Sequence, residues 1–319
     1  MRPTQHSYAR CVPDFVSGTM AWTGEPMNKH FYIPDLQIAP GTPTDHLEWI
    51  GKYILEKKPD VVVQAGDAAD MESLSSYDVG KKSFEGRRYL KDIEAAVAGM
   101  RRLWGPIDEY NETRRRNKEK QYSPRKIITI GNHEERISRA VEDDAKLDGV
   151  ISISDLKYEE LGWEVHPFLN VVEVDGIYYS HYFCHPQSGR PYGGESITTR
   201  LKNVGFSFVA GHQQVYMVGV RPLNNGQRIR GLVQGSCYLH DEFYRGPQGN
   251  NEWRGVFVFH EVINGDYSLM EISLDFLCRK YEGMSVWRFM MINHPDVFKT
   301  SCWMRYQRER ARDRGEFKD

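Results

Sequence analysis

Several short segments of the chain are apolar throughout and end in Asp, Asn or His, usually beside Gly. Continuous apolar runs of this length are typical of strands that are buried on both faces of a sheet. Because the polar residues follow the predicted strands, we expect them to gather at the carboxyl ends of those strands, where α/β sheets place their active sites. The segments are FYIPD, DVVVQAGD, KIITIGN, GIYYSHYF and FSFVAGH.

The stretch TPTDHLEWIGKYILEKK, between the first two runs, has the periodicity of a helix. Leu47, Ile50 and Ile54 fall on one face of this helix. We expect Thr42 to be its N-cap and Pro43 to take the first helical position. Strands that alternate with helices in this way predict the α/β class.

The segment over about 84–118 also has helical composition, and after residue 215 the pattern changes to β segments with INGD as a hairpin turn. These changes divide the chain into three parts. We predict an irregular N-terminal arm over residues 1–28, a main domain over residues 29–298 with a basic helical insert over about 71–124, and a basic C-terminal tail or helix over residues 299–319.

The composition is that of an intracellular globular protein. A chain of 319 residues with 40% hydrophobic content is long enough and apolar enough to fill a large core. Its five cysteines are scattered and form no C-x-x-C pair, which favours a reducing compartment and argues against a disulfide framework or a cysteine zinc site. We see no signal peptide and no 18-residue apolar run, so we expect a cytoplasmic protein without a membrane partner.

Charge is spread unevenly along the chain. The net charge of −2 predicts no global attraction to nucleic acid, but residues 81–126 hold fourteen Lys and Arg against seven Asp and Glu, and residues 299–319 hold seven against four. These stretches are either solvated helix faces or a surface that follows phosphates beside an acidic metal site. The sequence leaves both readings open.

Five loops after predicted strands carry groups that bind metals. Each loop alone has an ordinary explanation as a helix cap, a turn or a hydrogen-bonded histidine. Together they supply carboxylate, amide and imidazole groups, a mixture that suits Mn, Fe or Zn and also tolerates Mg. The loops contain Asp35 and Gln37; Gly66, Asp67 and Asp70; Gly131, Asn132, His133 and Glu134; Ser180 and His181; Gly211, His212 and Gln214.

The order of these loops resembles the calcineurin-like metallophosphoesterases, which include purple acid phosphatases, Ser/Thr protein phosphatases and the Mre11/SbcD nucleases. The family pattern runs D-x-H, G-D, G-N-H-[DE], H and G-H-x-H, and here it reads DLQ, GDAAD, GNHE, SHYF and GHQQ over roughly residues 31–214. The segments DLQ and SLSSYD look especially like the corresponding segments of phage and prophage members of the family. The resemblance implies two mixed sheets flanked by helices, with the later β-rich part in the second sheet.

The resemblance also implies a centre of two divalent ions, with Mn expected and Mg, Fe or Zn as alternatives. Asp35 would bind the first ion and Asp67 would bridge the two. Asn132, His181 and His212 would complete the binding site of the second ion. His133 would bind no metal but would protonate the leaving oxygen or stabilise charge on the phosphoryl group.

Other residues in and near these loops depart from the family pattern or have two alternative roles. Glu134 would either orient His133 or cap the following helix. Gln37 and Gln214 stand where the family has histidines for the first metal, and a Gln oxygen is a weaker, neutral ligand than imidazole. We therefore expect the first site to hold its ion loosely and to favour Mn or Mg over Zn. Asp70 and His185 are close enough in sequence either to compensate or to serve only as loop residues.

We expect the basic insert to lie beside the opening of the metal site, where the substrate would bind. Arg87 and Arg88, together with Arg114, Arg115 and Arg116, could contact phosphates, and Arg136 follows the GNHE loop. Tyr238, in YLHDEFYRG, offers an aromatic ring for base stacking. These residues favour a nucleotide or nucleic-acid phosphoester such as DNA.

The sequence thus predicts an ester hydrolase that uses a metal-activated water on a phosphomonoester or phosphodiester. One alternative is a phosphatase of phosphoproteins or small metabolites. Another is a degenerate member of the family that binds a partner without catalysis. If the chain is encoded by a phage, its compartment would be the host cytoplasm.

Overall fold

The computed structural model describes residues 27–317, so the predicted arm over 1–28 lies almost wholly outside the described residues. The strands are β1 (Asn28–Ile33), β2 (Val61–Gln64), β3 (Arg125–Thr129), β4 (Glu164–His166), β5 (Val172–Val174), β6 (Ile177–Ser180), β7 (Ser207–Ala210), β8 (Met217–Pro222), β9 (Arg228–Val233), β10 (Gly255–Ile263) and β11 (Asp266–Ser273). The helices are α1 (Asp45–Lys57), α2 (Tyr89–Arg116), α3 (Glu135–Asp143), α4 (Ile197–Val204), α5 (Gly246–Gly249), α6 (Leu274–Glu282), α7 (Val286–Asn293), α8 (Pro295–Thr300) and α9 (Cys302–Asp313).

The strands form two mixed sheets. The first has the order β11-β10-β1-β2-β3-β4, in which β1 to β4 are parallel and β10 is antiparallel to both of its neighbours. The second has the order β5-β6-β7-β9-β8, with β6, β7 and β9 parallel. The predicted class, α/β with mixed sheets flanked by helices, is confirmed.

Alternate side chains of the central strands enter two different cores. In β1, Phe31 and Ile33 pack towards the helices, while Tyr32 packs between the sheets against Tyr179 of β6. Because successive side chains of a strand point to opposite faces, a strand covered on both faces is apolar at every position. A third core lies between the second sheet and α4, where Leu201 is fully buried. The result is a helix–sheet–sheet–helix arrangement of layers.

Helix α1 begins two residues later than the sequence predicted. Its N-cap is Thr44, and the hydroxyl of Thr42 instead donates to the carbonyl of Ala39 at 2.8 Å within the preceding turn. A Thr hydroxyl can hydrogen-bond either within a turn or at a helix N-cap, so the sequence pattern alone does not distinguish the two positions. The expected apolar face is fully buried, as Leu47, Ile50 and Ile54 show.

The β-rich part after residue 215 is shared between the sheets. Strands β8 and β9 join the second sheet, but β10 and β11 extend the first sheet beside β1, so the expectation that this part forms the second sheet is wrong for half of it. The turn between β10 and β11 has Asn264 and Gly265 at positive φ, as a two-residue hairpin requires. That turn was predicted.

The basic helix α2 leads away from the carboxyl edge of the first sheet. Near its start, Asp92 accepts from the amide of Ser73, in the segment that follows β2. Beyond its end, Tyr122 donates to the carbonyl of Pro59, which precedes β2. A helix of 28 residues is about 40 Å long. Arg114, Arg115 and Arg116 therefore lie at the opposite edge, where they pair with Glu119 and Glu112.

The C-terminal segment is a helix that packs on the main domain. Trp303 and Met304 of α9 are buried in the core that also contains α1. The ring of Trp303 lies against the buried guanidinium of Arg254 at 4.4 Å. Among the described residues, no helix combines the length and the apolar character needed to span a bilayer.

Candidate metal centre

The carboxyl ends of five strands from both sheets meet at one place. Asp35, Asp67 and Asn132 follow β1, β2 and β3, whereas His181 and His212 follow β6 and β7. The two sheets are joined there by the His181 ring, whose Nδ1 lies 2.9 Å from the carbonyl oxygen of Ala65. The convergence expected from the sequence is thus present.

Asp67, His181 and His212 each offer one ligand atom, and these atoms lie within 4.8 Å of one another. The side-chain oxygen of Asn132 joins them, at 2.9 Å from His181 Nε2 and 2.6 Å from His212 Nδ1. These are the four residues predicted for the second ion, with Asp67 as the bridge. They bring two imidazoles, an amide oxygen and a carboxylate to one point.

The orientation of His181 indicates that a cation fits this cluster. Its Nδ1 faces a carbonyl oxygen and must carry a proton, so in the neutral ring Nε2 has no proton and carries a lone pair. That nitrogen faces only acceptors, because Asp67 Oδ2 is 3.3 Å away and Asn132 Oδ1 is close as well. Three lone pairs that face one another are stable only with a proton or a metal ion between them.

The electrostatics of the cluster lead to the same conclusion. Burial alone would lower the pKa of His181, but the Asp67 carboxylate beside it raises that pKa to about 9. Burial would raise the pKa of Asp67, yet His133 and His181 hold it well below its usual value. Burial, followed by the neighbouring His181, lowers the pKa of His212 to about 4. A fixed negative charge therefore sits among ligand nitrogens.

Glycines at two loops allow the close approach that the centre needs. A Cβ on Gly131 would lie 2.1 Å from Asp67 Oδ1, and a Cβ on Gly211 would lie 2.8 Å from Asp35 Oδ1. Gln37, Asp67 and His212 have positive φ values of 46°, 53° and 67°. Such values are uncommon for residues other than glycine and cluster at functional sites.

The carboxylate of Glu134 has neither of its predicted roles. It is fully buried and accepts hydrogen bonds from the backbone amides of Asp67, Ala68, Ala69 and Gly131 at 2.7–3.0 Å. It makes no side-chain cap for α3. Glu134 is therefore a clamp that joins the GDAAD and GNHE loops and fixes the position of Asp67.

His133 is oriented by Asp70. Nδ1 of His133 lies 2.5 Å from Asp70 Oδ1, and the backbone amide of His133 donates to Asp67 Oδ1 at 2.9 Å. The other ring nitrogen, Nε2, is 3.8 Å from Asp67 Oδ2 and 3.4 Å from Arg136 Nη2. Arg136 also donates to the Asp70 carbonyl at 2.7 Å. His133 and Arg136 thus border the cluster.

The residues around Asp35 are rich in oxygen. Asp35 is fully buried, and burial together with the nearby Asp67 raises its pKa to about 7. Gln37 donates through Nε2 to Asp67 Oδ2 at 3.3 Å, while its Oε1 has no hydrogen-bond donor among the described residues. Asp35 Oδ2 is likewise buried without a donor. Buried acceptors without donors suit a hard cation, so these residues fit a divalent ion.

The side-chain amide of Gln214 is paired with residues outside this oxygen-rich group. Its Oε1 accepts from the Tyr238 hydroxyl at 2.8 Å and from Arg245 Nη1 at 2.8 Å. Its Nε2 donates to the Tyr244 hydroxyl at 3.2 Å. Because both lone pairs of the oxygen are used, the predicted role of Gln214 as a metal ligand does not fit its geometry.

The predicted substrate-binding residues lie in different surroundings, some buried and some exposed. Tyr238 is 1% exposed and stacks inside the protein on Arg254, so it presents no face to a base. Arg87 pairs with Asp78 at 2.8 Å and with Glu72, within its own loop. Arg88 is exposed and donates to the carbonyl of Arg87. For Arg87, Arg88 and Arg136 the substrate role stays a prediction.

Gln234 carries no motif signal in the sequence, whereas the aromatic residues Phe243, Tyr244 and Tyr182 lie in the predicted segments YLHDEFYRG and SHYF. Gln234 follows β9 and donates from Nε2 to Asp35 Oδ1. Phe243 and Tyr244 are 96% and 63% exposed in the loop that holds Gln214. The ring of Tyr182 lies 4.7 Å from that of His212. Only the rule that polar residues follow buried strands beside Gly could have found Gln234.

Comparisons with known proteins give little beyond this geometry. No protein-family model matches the chain, and no curated protein matches it. Among solved structures, the chain is similar to YfcE, a phosphoesterase from E. coli, with 12% identity and a TM-score of 0.32 over 77% of this chain and 99% of that one. A further solved structure has 12% identity and a TM-score of 0.35 over the same shares.

Proposed function

We propose that the chain is a metal-dependent phosphoesterase that hydrolyses a phosphomonoester or phosphodiester, with a nucleotide or nucleic acid as substrate. The observation that carries this proposal is the convergence of Asp67, Asn132, His181 and His212 on one point, with His133 beside it. Divalent ions in such a centre polarise phosphoryl oxygens and lower the pKa of bound water. Mn²⁺ is the ion we expect.

The protein supplies the remaining chemistry through His133 and Arg136. Because Nδ1 of His133 is held by Asp70, Nε2 is the nitrogen that faces the centre. Burial alone would lower the pKa of His133, but the carboxylates of Asp67 and Asp70 raise it to about 9, so the ring carries a proton on both nitrogens and can deliver the Nε2 proton to the leaving oxygen. Arg136 places a guanidinium next to that nitrogen, where it can bind a phosphoryl oxygen. Glu134 keeps Asp67 in place.

The nucleic-acid part of the proposal is supported by the exposed aromatic loop. Phe243 and Tyr244 stand in solvent next to Gln214, where a base of the substrate can stack. The arginines at the end of α2 no longer support it, because they lie at the far edge of the sheet and are paired with glutamates. Within enzymes, a phosphatase of phosphoproteins or metabolites is the competing function.

The proposal is tested by comparing an aryl phosphomonoester, an aryl phosphodiester and single-stranded DNA with Mn²⁺ present. Hydrolysis of any of the three that His133→Ala reduces by about 10²-fold or more supports the phosphoesterase. Activity confined to the monoester, without salt-sensitive binding of DNA, would contradict the nucleic-acid substrate. Metal binding without hydrolysis of any ester would favour a binding protein instead.

A further inference from the structure

Gln234 lies in the metal centre although it belongs to none of the five loops. It comes directly after β9, in the position that the ligand residues occupy after their own strands. Its side chain is fully buried, and Nε2 donates to Asp35 Oδ1. The backbone of Gly211 passes so close that a Cβ there would lie 2.5 Å from Gln234 Nε2. Gln234 is therefore packed against the two carboxyl-edge loops that begin with Asp35 and Gly211.

The carbonyl oxygen of Gln234 is buried and has no hydrogen-bond donor among the described residues. The same is true of Asp35 Oδ2 and Gln37 Oε1. The amide groups of the two glutamines donate to the carboxylates of Asp35 and Asp67, which leaves only oxygens unpaired. Buried oxygens without donors destabilise a folded protein unless a cation or a water molecule binds them.

A second buried glutamine at a strand end does not share this pattern. Gln64 is the last residue of β2 and is also fully buried. Both ends of its amide are paired, because Nε2 donates to the Gly66 carbonyl at 3.0 Å and Oε1 accepts from the Gly66 amide at 2.8 Å. Gln64 thus has a purely structural role, whereas Gln234 keeps one oxygen unpaired.

We propose that Gln234 binds the first metal ion through Oε1 and supplies the ligand that Gln214 does not. The first site would then consist of Asp35, Gln37, Asp67 and Gln234, with oxygen as its only ligand element. Such a set selects hard ions such as Mn²⁺ or Mg²⁺ against Zn²⁺, while the second site keeps two imidazoles. This inference rests on the proposed function, since it presumes a centre of two ions.

Gln234 could also act only by holding Asp35 through Nε2, and substitutions separate the two roles. Gln234→Met removes both the amide oxygen and the donor at similar size. Gln234→Glu keeps an oxygen at Oε1 and loses the donor to Asp35. A ligand role predicts that Glu retains metal binding and Met does not, whereas a positioning role predicts that both lose it.

The test measures Mn²⁺ binding to the metal-free full chain by titration calorimetry, with ion content determined in parallel, so that no activity is needed. We expect two ions for the wild type. Q234M should keep the site of Asn132, His181 and His212 and should bind the other ion on the order of 10–100-fold more weakly. Q234E should bind two ions. Gln307→Leu, which replaces a buried glutamine of α9 outside the centre, is the matched control and should also bind two.

Two ions bound to Q234M with wild-type affinity would overturn the inference and leave the phosphoesterase proposal intact. A wild-type chain that binds no divalent ion would overturn both. If Q234M does not fold, Gln234→His decides: a ligand role predicts that the preference of the first site moves towards Zn²⁺, and an unchanged preference would refute that role.

Discussion

Nδ1 of His133 and Oδ1 of Asp70 are 2.5 Å apart, so the carboxylate that follows β2 sets the direction of the imidazole that follows β3. The same imidazole turns its other nitrogen towards Asp67. Asp67, Asp70 and Arg136 thereby act on one imidazole, because Arg136 also contacts both members of the pair. The orientation of His133 is fixed before any substrate binds.

We predict that Asp70→Asn lowers kcat by about 10²-fold, because a neutral amide cannot stabilise the doubly protonated ring whose Nε2 proton is delivered to the leaving oxygen. KM and the content of bound metal should stay near their wild-type values. Steady-state kinetics with an aryl phosphoester, combined with metal analysis, measure these effects. Asp143→Asn, on the exposed end of α3, is the control, and equal kcat for the two variants would contradict the role of Asp70.

We predict that Glu134→Gln lowers the free energy of unfolding by about 1–3 kcal/mol. The substituted amide cannot accept all of the backbone hydrogen bonds that the two oxygens of Glu134 accept. Urea denaturation of the metal-free proteins measures the change. Glu142→Gln, at an exposed position of the neighbouring helix, should be near neutral, and a similarly small effect of Glu134→Gln would show that the clamp is unimportant.

The buried His46 predicts a dependence of stability on pH. Burial, followed by the nearby His240, lowers the pKa of His46 to about 3 in the folded state, below the value of about 6.5 in the unfolded chain. The unfolded chain therefore binds the proton first as the pH falls. The contribution of neutral His46 is complete above about pH 6.5 and declines by up to about 1.4 kcal/mol per pH unit below it.

Urea denaturation at pH 7.5, 6.5 and 5.5 measures this effect. The free energy of unfolding should fall less steeply with decreasing pH in His46→Leu than in the wild type. Parallel curves for the two proteins would contradict the prediction, because all other titrating groups are the same in both.

We predict that Phe243→Ala raises KM for single-stranded DNA by about 5- to 100-fold, the equivalent of about 1–3 kcal/mol for one stacked base. KM for an aryl phosphomonoester should change much less, since its ring is bound at the metal centre rather than beyond it. Tyr306→Ala, on α9, removes a partly exposed aromatic ring elsewhere and is the control. If Phe243→Ala changed both substrates equally, the loop would not contact a base.

The gathering of the strand-end loops was predictable because parallel strands place their carboxyl ends at one edge. The grouping of Asp67, Asn132, His181 and His212 around one ion was implied by the family resemblance. The sequence did not predict the role of Glu134, since a glutamate beside a helix start looks the same whether it caps the helix or accepts amides from another loop. Gln214 was misplaced for a related reason. Its partners, Tyr238 and Arg245, come from a loop that meets it only in the folded chain.

The position of the end of the basic insert was predictable and was predicted wrongly. Because β2 and β3 are parallel, the chain between them must return to the opposite edge of the sheet, so Arg114 and its neighbours cannot lie beside the centre. Gln234 could have been identified from the sequence but was not. It satisfies the rule that identified the other ligand candidates, a polar residue after a buried strand and before Gly, but it lies outside any motif.

The central claim is that Asp67 bridges two metal ions in a phosphoesterase. The most direct measurement is the rate of aryl phosphoester hydrolysis by metal-free wild type and Asp67→Asn as Mn²⁺ is added. We predict that wild-type activity appears with the metal and that Asp67→Asn, although folded, stays inactive at every concentration. Wild-type activity without added metal, or unchanged turnover by Asp67→Asn, would contradict the claim.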